Sequence, residues 1–94
     1  AGVEGLVRAS AATYANSGVR INAVAPGLVD TPLAEGITKS EPAKKASIAM
    51  HPLGRIGEPA DIARAIEWLL DPAASWVTGQ TIGVDGGLAR VRSR

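Results

Sequence analysis

Between residues 25 and 32 the chain reads Ala25-Pro26-Gly27-Leu28-Val29-Asp30-Thr31-Pro32, residue types that can hold a ligand without a reactive side chain. Gly27 lets backbone approach a ligand closely, Pro26 fixes the turn, and the N–H groups of Val29 and its neighbours can bond a planar amide. Thr31 adds a hydroxyl at the start of a helix, where partial positive charge favours a phosphate or pyrophosphate. An ordinary strand-to-helix turn capped by Thr31 has the same spacing, so the residue types alone leave both readings open. Other groups are poorer candidates. The single histidine, His51, stands before Pro52 with no carboxylate or nucleophile pattern around it, which reads as a helix cap rather than a general base. One His and no Cys cannot assemble a metal site. Asp85-Gly86-Gly87 carries one carboxylate and reads as a turn in which Gly supplies positive φ.

These residues need elements to position them. Val3, Leu6, Val7, Ser10 and Tyr14 share one helical face, which predicts a helix over 1–16 stopped by Asn16-Ser17-Gly18, with Tyr14 a packing residue. Gly5 costs ~1 kcal/mol inside a helix, so a close packing partner is expected there. The apolar run Val19–Ala25 predicts a strand covered on both faces, closed by Pro26-Gly27. Thr31-Pro32 opens a short helix; Ser40-Glu41-Pro42 opens a second that runs to about Met50. Gly54, Gly57 and Pro59 make 52–58 a loop. Pro59 and Asp61 then start a helix over 59–70 with Ile62, Ile66, Leu69 and Leu70 as its apolar face, ended by Asp71-Pro72. A turn at 73–75 and a loop to Gly79 lead to a strand over 80–84. Alternation of this kind implies an α/β sheet whose parallel strands are joined by a crossover. Two strands leave two bare edges, so further strands are expected to complete the sheet.

Composition narrows the function classes. Ninety-four residues allow one domain at most, and the surface laws let a chain of this mass bury only about 63% of its area. Hydrophobic residues at 46%, charged residues at 20% and a net charge of +1 describe a globular chain and do not favour nucleic acid. Arg90, Arg92 and Arg94 read as a solvated tail. No apolar run approaches the ~18 residues of a membrane span, and the absence of a cationic, apolar leader and of Cys makes the cytoplasm the expected compartment. The chain opens with helical periodicity and neither Met nor a capping residue, so it is expected to start inside a helix.

Three segments carry a resemblance to a known family. They are Gly18-Val19-Arg20-Ile21-Asn22-Ala23-Val24-Ala25-Pro26-Gly27-Leu28-Val29-Asp30-Thr31-Pro32, His51-Pro52-Leu53-Gly54-Arg55-Ile56-Gly57-Glu58-Pro59-Ala60-Asp61-Ile62-Ala63, and Thr78-Gly79-Gln80-Thr81-Ile82-Gly83-Val84-Asp85-Gly86-Gly87. In this order and spacing they closely resemble the C-terminal part of the short-chain dehydrogenase/reductase family, over Ala1 to about Leu88. The resemblance implies an α/β fold, the last part of a Rossmann-type doubly wound parallel sheet that binds NAD or NADP. It implies that Pro26 and Gly27 form the family's Pro-Gly turn, that the Val29 backbone bonds the nicotinamide carboxamide, and that the Thr31 hydroxyl contacts the carboxamide or pyrophosphate. Leu28, Leu33 and Ala34 would face the substrate, an alcohol or carbonyl compound, with 33–50 as a lid and His51 as a lid contact or cap. The stretch 59–84 would form an interface of a homodimer or homotetramer, and Trp68 and Trp76 would be either anchors there or core. The family's glycine-rich loop, catalytic Ser and Tyr-x-x-x-Lys do not occur in this chain; Gly18 stands four positions after Tyr14. Ala1-Gly2-Val3 resembles the triplet following that Lys. By resemblance, then, the chain contributes no catalytic residue and is inactive alone. A rival reading is a free-standing, non-catalytic module that folds by associating through its last helix and strand.

Overall fold

The computed structural model describes residues 2–92. Ala1, the expected helix start, and residues 93–94 of the arginine tail lie outside the described residues, as do the side chains of Ile37 and Thr38 in the expected lid. Helix α1 spans Gly2–Tyr14 and runs into a 3-10 turn, Ala15–Ser17. Gly18 ends it at φ +73°, its N–H donating to the Ala15 carbonyl at 3.0 Å, a left-handed stop that a Cβ would strain. The inward stripe of α1 is narrower than its periodicity predicts. Val7 and Ala11 are buried, whereas Val3, Leu6 and Tyr14 are exposed and a Cβ on Gly5 would meet nothing within 4 Å. Among the described residues Tyr14 therefore packs against little and Gly5 meets no close partner, because one side of α1 alone is covered. The contact there is with the loop before the second strand, where a Cβ on Gly79 would lie 3.6 Å from the Ala11 methyl.

Strands β1 (Ala23–Pro26) and β2 (Thr81–Val84) pair in parallel, from Ala23 opposite Thr81 to Pro26 opposite Val84. The expected strand over 19–25 starts four residues late because side chains take over the ladder. The Ile21 N–H donates to Thr78 Oγ1 at 3.1 Å, the Asn22 amide donates to the Val77 carbonyl at 3.0 Å, and Asn22 Oδ1 accepts from the Gln80 N–H at 3.0 Å. Nor is β1 covered on both faces: Ala23 and Val24 are half-buried, Ala25 and Pro26 exposed.

A 3-10 turn, Pro32–Ala34, leads into the single-turn helix α2 (Glu35–Thr38), which packs against α3 (Glu41–Met50). Ser40 caps α3, its hydroxyl accepting from the Ala43 N–H at 3.5 Å, with proline in the first turn. Helix α4 (Pro59–Leu70) supplies the crossover that parallel strands require and packs over both, with Leu69 buried. Asp71 ends α4 and starts the turn Pro72–Ala74, its Oδ1 accepting from the Ala73 N–H at 2.8 Å; Ala74 is buried beneath. Asp85-Gly86-Gly87 is the expected turn, with Gly86 at φ +60° and Gly87 at φ +93°. Among the described residues no helix is long and apolar enough to cross a membrane.

Candidate functional site

The chain leaves β1 at Pro26, whose missing N–H costs nothing at a strand end, and the Gly27 N–H closes the ladder on the Val84 carbonyl at 3.2 Å. Gly27 is required by proximity rather than by φ. A Cβ there would sit 2.9 Å from His51 Nε2 and 3.0 Å from both Cα and Cβ of Asp85. The next residue is held from two sides. The Leu28 N–H donates to His51 Nε2 at 3.2 Å, and the Leu28 carbonyl accepts from the Gly57 N–H at 2.9 Å. The Gly57 carbonyl in turn accepts from the Asp30 N–H at 2.9 Å, forming a parallel bridge between Val29 and Gly57.

That bridge decides what the loop can offer. In an extended segment paired through residues 28 and 30, the residue between turns both backbone groups to the opposite side. The Val29 N–H and C=O accordingly have no hydrogen-bond partner among the described residues. Of the loop amides read from sequence as available, those of Leu28 and Asp30 are spent within the chain. Val29 is left as a donor and an acceptor side by side, the complement of a primary carboxamide.

Thr31 takes the expected N-cap position ahead of Pro32, but without the side-chain cap bond. Its backbone is extended, its carbonyl closes the 3-10 turn by accepting from the Ala34 N–H at 3.0 Å, and its hydroxyl makes no cap bond. The hydroxyl remains available beside an open depression of about 360 Å³ formed with Asp30, Pro32 and Glu35. The positive helix terminus expected here is not built, since a 3-10 turn and the four residues of α2 align too few peptide dipoles. Of the three residues expected to face a substrate, Leu28 and Ala34 are half-buried and Leu33 is wholly exposed at 100%.

Behind the loop, residues from four segments meet. The buried His51, 5% exposed, ends α3. Its Nδ1 lies 2.6 Å from the Ser47 carbonyl, an acceptor, and its Nε2 faces the Leu28 N–H, a donor, so the ring carries its hydrogen on Nδ1. Arg55 makes a two-pronged pair with Asp61, at 2.8 Å and 3.1 Å, and Asp61 Oδ2 also accepts from the Glu58 N–H at 2.7 Å. The hydrogen bond from Arg55, followed by that from the Glu58 backbone, holds the Asp61 carboxyl down at about 2 against an ordinary 3.8; Arg55 moves upward by the same contact. Asp85 accepts from the N–H groups of Gly87 at 3.0 Å and Ala89 at 3.2 Å, so its carboxylate serves the turn. Sequence spacing missed the bond from Leu28 to His51 and the bridge to Gly57, because both join positions 23 and more residues apart that no local pattern links.

The sequence matches the family model described as Enoyl-(Acyl carrier protein) reductase over residues 1–89. It is 48% identical, over 91 residues, to cis-4-hydroxycyclohexanecarboxylate dehydrogenase of Sinomonas cyclohexanicum, covering 97% of this chain and 36% of that protein. The fold superposes on a short-chain type dehydrogenase/reductase from Mycobacterium ulcerans with a TM-score of 0.91 at 40% identity, over 98% of this chain and 34% of the other. It also superposes on 4-hydroxyisoleucine dehydrogenase complexed with NADH, with a TM-score of 0.92 at 26% identity, over 97% and 37%. The chain thus spans about a third of the length of the curated relatives it matches.

Proposed function

Because this chain belongs to the short-chain dehydrogenase/reductase family, we propose that it supplies the nicotinamide-side loop and substrate lid of an oxidoreductase that uses NAD or NADP to interconvert an alcohol and a carbonyl compound. The observation that carries this reading is the pair of unpartnered backbone groups on Val29, held outward by the bridge to Gly57. When bound, the nicotinamide cofactor accepts or gives the hydride. The chain's own residues bind and orient. The Val29 N–H would donate to a carboxamide oxygen and its C=O would accept from the carboxamide nitrogen, a pairing that would hold the nicotinamide in one orientation. The Thr31 hydroxyl bonds the carboxamide or a phosphate oxygen, and Leu28, Leu33 and Ala34 offer apolar surface from which water is excluded once 33–50 closes. Acid and base duties fall to residues this chain does not contain, so the 94-residue chain alone is inactive.

Helix α4 and strand β2, with Trp68 and Leu70 exposed, serve in this reading as the surface of a homodimer or homotetramer. The full-length protein is tested by following nicotinamide absorbance with a panel of small secondary alcohols and ketones. Thr31→Val, which removes the hydroxyl and keeps the shape, is expected to raise the KM for cofactor by up to about tenfold, the worth of one hydrogen bond. A full-length protein that neither oxidises nor reduces any of the panel with either cofactor sinks the reading.

A further inference from the structure

The geometry points to His51 as a positioning residue: its imidazole clamps the end of the lid helix to the nicotinamide-side loop, so that the placement of one sets the placement of the other. This rests on the functional reading of Val29 above. Three observations carry it. Nδ1 donates to the Ser47 carbonyl at 2.6 Å, one turn back in α3, which ties the ring to the lid. Nε2 accepts from the Leu28 N–H at 3.2 Å, the residue immediately before Val29. The His51 side chain also stands beside Gly27 and Gly86: a Cβ on Gly27 would meet the ring Nε2 at 2.9 Å, and one on Gly86 would meet the His51 Cβ at 3.7 Å and the ring Cδ2 at 4.0 Å, so the side chain lies between the loop and the turn after β2.

The consequence lies in the direction of the loop. The Leu28 carbonyl, bonded to Gly57, holds the peptide that carries the Val29 N–H, and the Leu28 N–H, bonded to His51, holds the peptide before it, so the two bonds together fix the backbone on both sides of the Leu28 Cα. Without the imidazole acceptor the Leu28 N–H is left unpaired in a half-buried place and the loop relaxes towards another donor-satisfying conformation. A cap whose only task was to end α3 would need the Nδ1 bond alone. The bond from Leu28 lies outside that task and reaches the residue next to the proposed carboxamide contact.

Two substitutions separate the roles. An Asn side chain reaches as far as Nδ1 and keeps the bond to Ser47; a Gln side chain carries its carbonyl oxygen as far as Nε2 and keeps the bond from Leu28. In the full-length protein His51→Asn is expected to raise the KM for cofactor about tenfold while kcat stays within about twofold, and His51→Gln to stay within about twofold in both. Hydrogen–deuterium exchange resolved to single amides supplies a readout independent of activity. In the wild-type protein the Leu28 amide is expected to be protected and the Val29 amide, without cofactor, to exchange freely; His51→Asn alone removes the protection of Leu28. Equal cofactor KM values for the two variants, or a Leu28 amide that exchanges as fast as that of Val29 in the wild-type protein, overturn the clamp. Absence of turnover in the wild-type protein overturns the functional reading instead, and the exchange pattern still decides for or against His51.

Discussion

At the scale of single residues the site is built from backbone, which sets both what the sequence discloses and what it hides. Pro26 and Gly27 announce a turn with close approach, and the structure uses Gly27 that way, between His51 and Asp85. What was not legible is that the crowding comes from this chain itself, because the two neighbours are brought there by α3 and β2 rather than by any local pattern. Replacing Gly27 by Ala puts a methyl group 3.0 Å from the Asp85 Cα, where the neighbour is backbone and cannot swing away. Overpacking of this kind costs about 1–3 kcal/mol, so Gly27→Ala is expected to lower the unfolding free energy of the full-length protein by that amount and to move its urea midpoint down accordingly. A midpoint equal to wild type in urea titration would show that the loop has room the geometry denies. Thr31 teaches the reverse lesson. Its type and position spell a helix cap, and its backbone takes that place, its carbonyl closing the 3-10 turn that follows, yet the hydroxyl makes no cap bond and is released for other partners.

Among the elements, the helix stops and caps were legible and the start of β1 was not. Gly18 ends α1, Ser40 caps α3, and Asp71-Pro72 ends α4, each by chemistry carried on one or two residues. The early half of β1 failed because Asn22 and Thr78 replace main-chain bonds with side-chain ones, a substitution that apolar patterning cannot register. The start of α4 offers a pH test. Asp61 takes the Glu58 N–H and both prongs of Arg55, which hold its carboxyl at about 2 rather than 3.8. A carboxyl depressed on folding stabilises the folded form fully above its unfolded value, and this contribution is lost as pH falls through the folded one. The stability due to this contact is therefore expected to be intact above about pH 4 and to disappear by about pH 2. Asp61→Asn should remove that part of the acid limb and leave the variant less stable than wild type at neutral pH, with the two converging near pH 2. Urea titrations across the range check it: a constant gap between the two proteins down to about pH 2 would assign the effect to something other than this carboxylate. Because the pair lies in solvent, added salt should narrow the gap at neutral pH.

For the molecule as a whole, the area left in water is the governing fact. The accessible surface is 6847 Å², whereas a compact chain of this mass exposes about 5,100 Å². The radius of gyration is 15.6 Å against about 12 Å for a compact domain of the same length. The apolar core among the described residues is Val7, Ala11, Leu69 and Ala74, while Trp76 at 99% and Leu70 at 76% stand exposed. A two-stranded sheet with α4 on it cannot bury enough apolar surface to offset the entropy of ordering the chain, which makes the fold dependent on contacts beyond those it makes with itself. The structures it superposes on are about three times as long. Produced by itself, the 94-residue chain is accordingly expected to self-associate, bind a hydrophobic dye and melt without a sharp transition. Sedimentation velocity over a range of concentrations, read beside a calorimetric scan, decides the matter. A mass that stays at 9.6 kDa together with a cooperative melt would mean that the chain is sufficient for its own fold. In that case the exposed Trp76 and Leu70 must be tolerated in water as they stand, and the free-standing module, rather than the oxidoreductase part, becomes the reading to pursue.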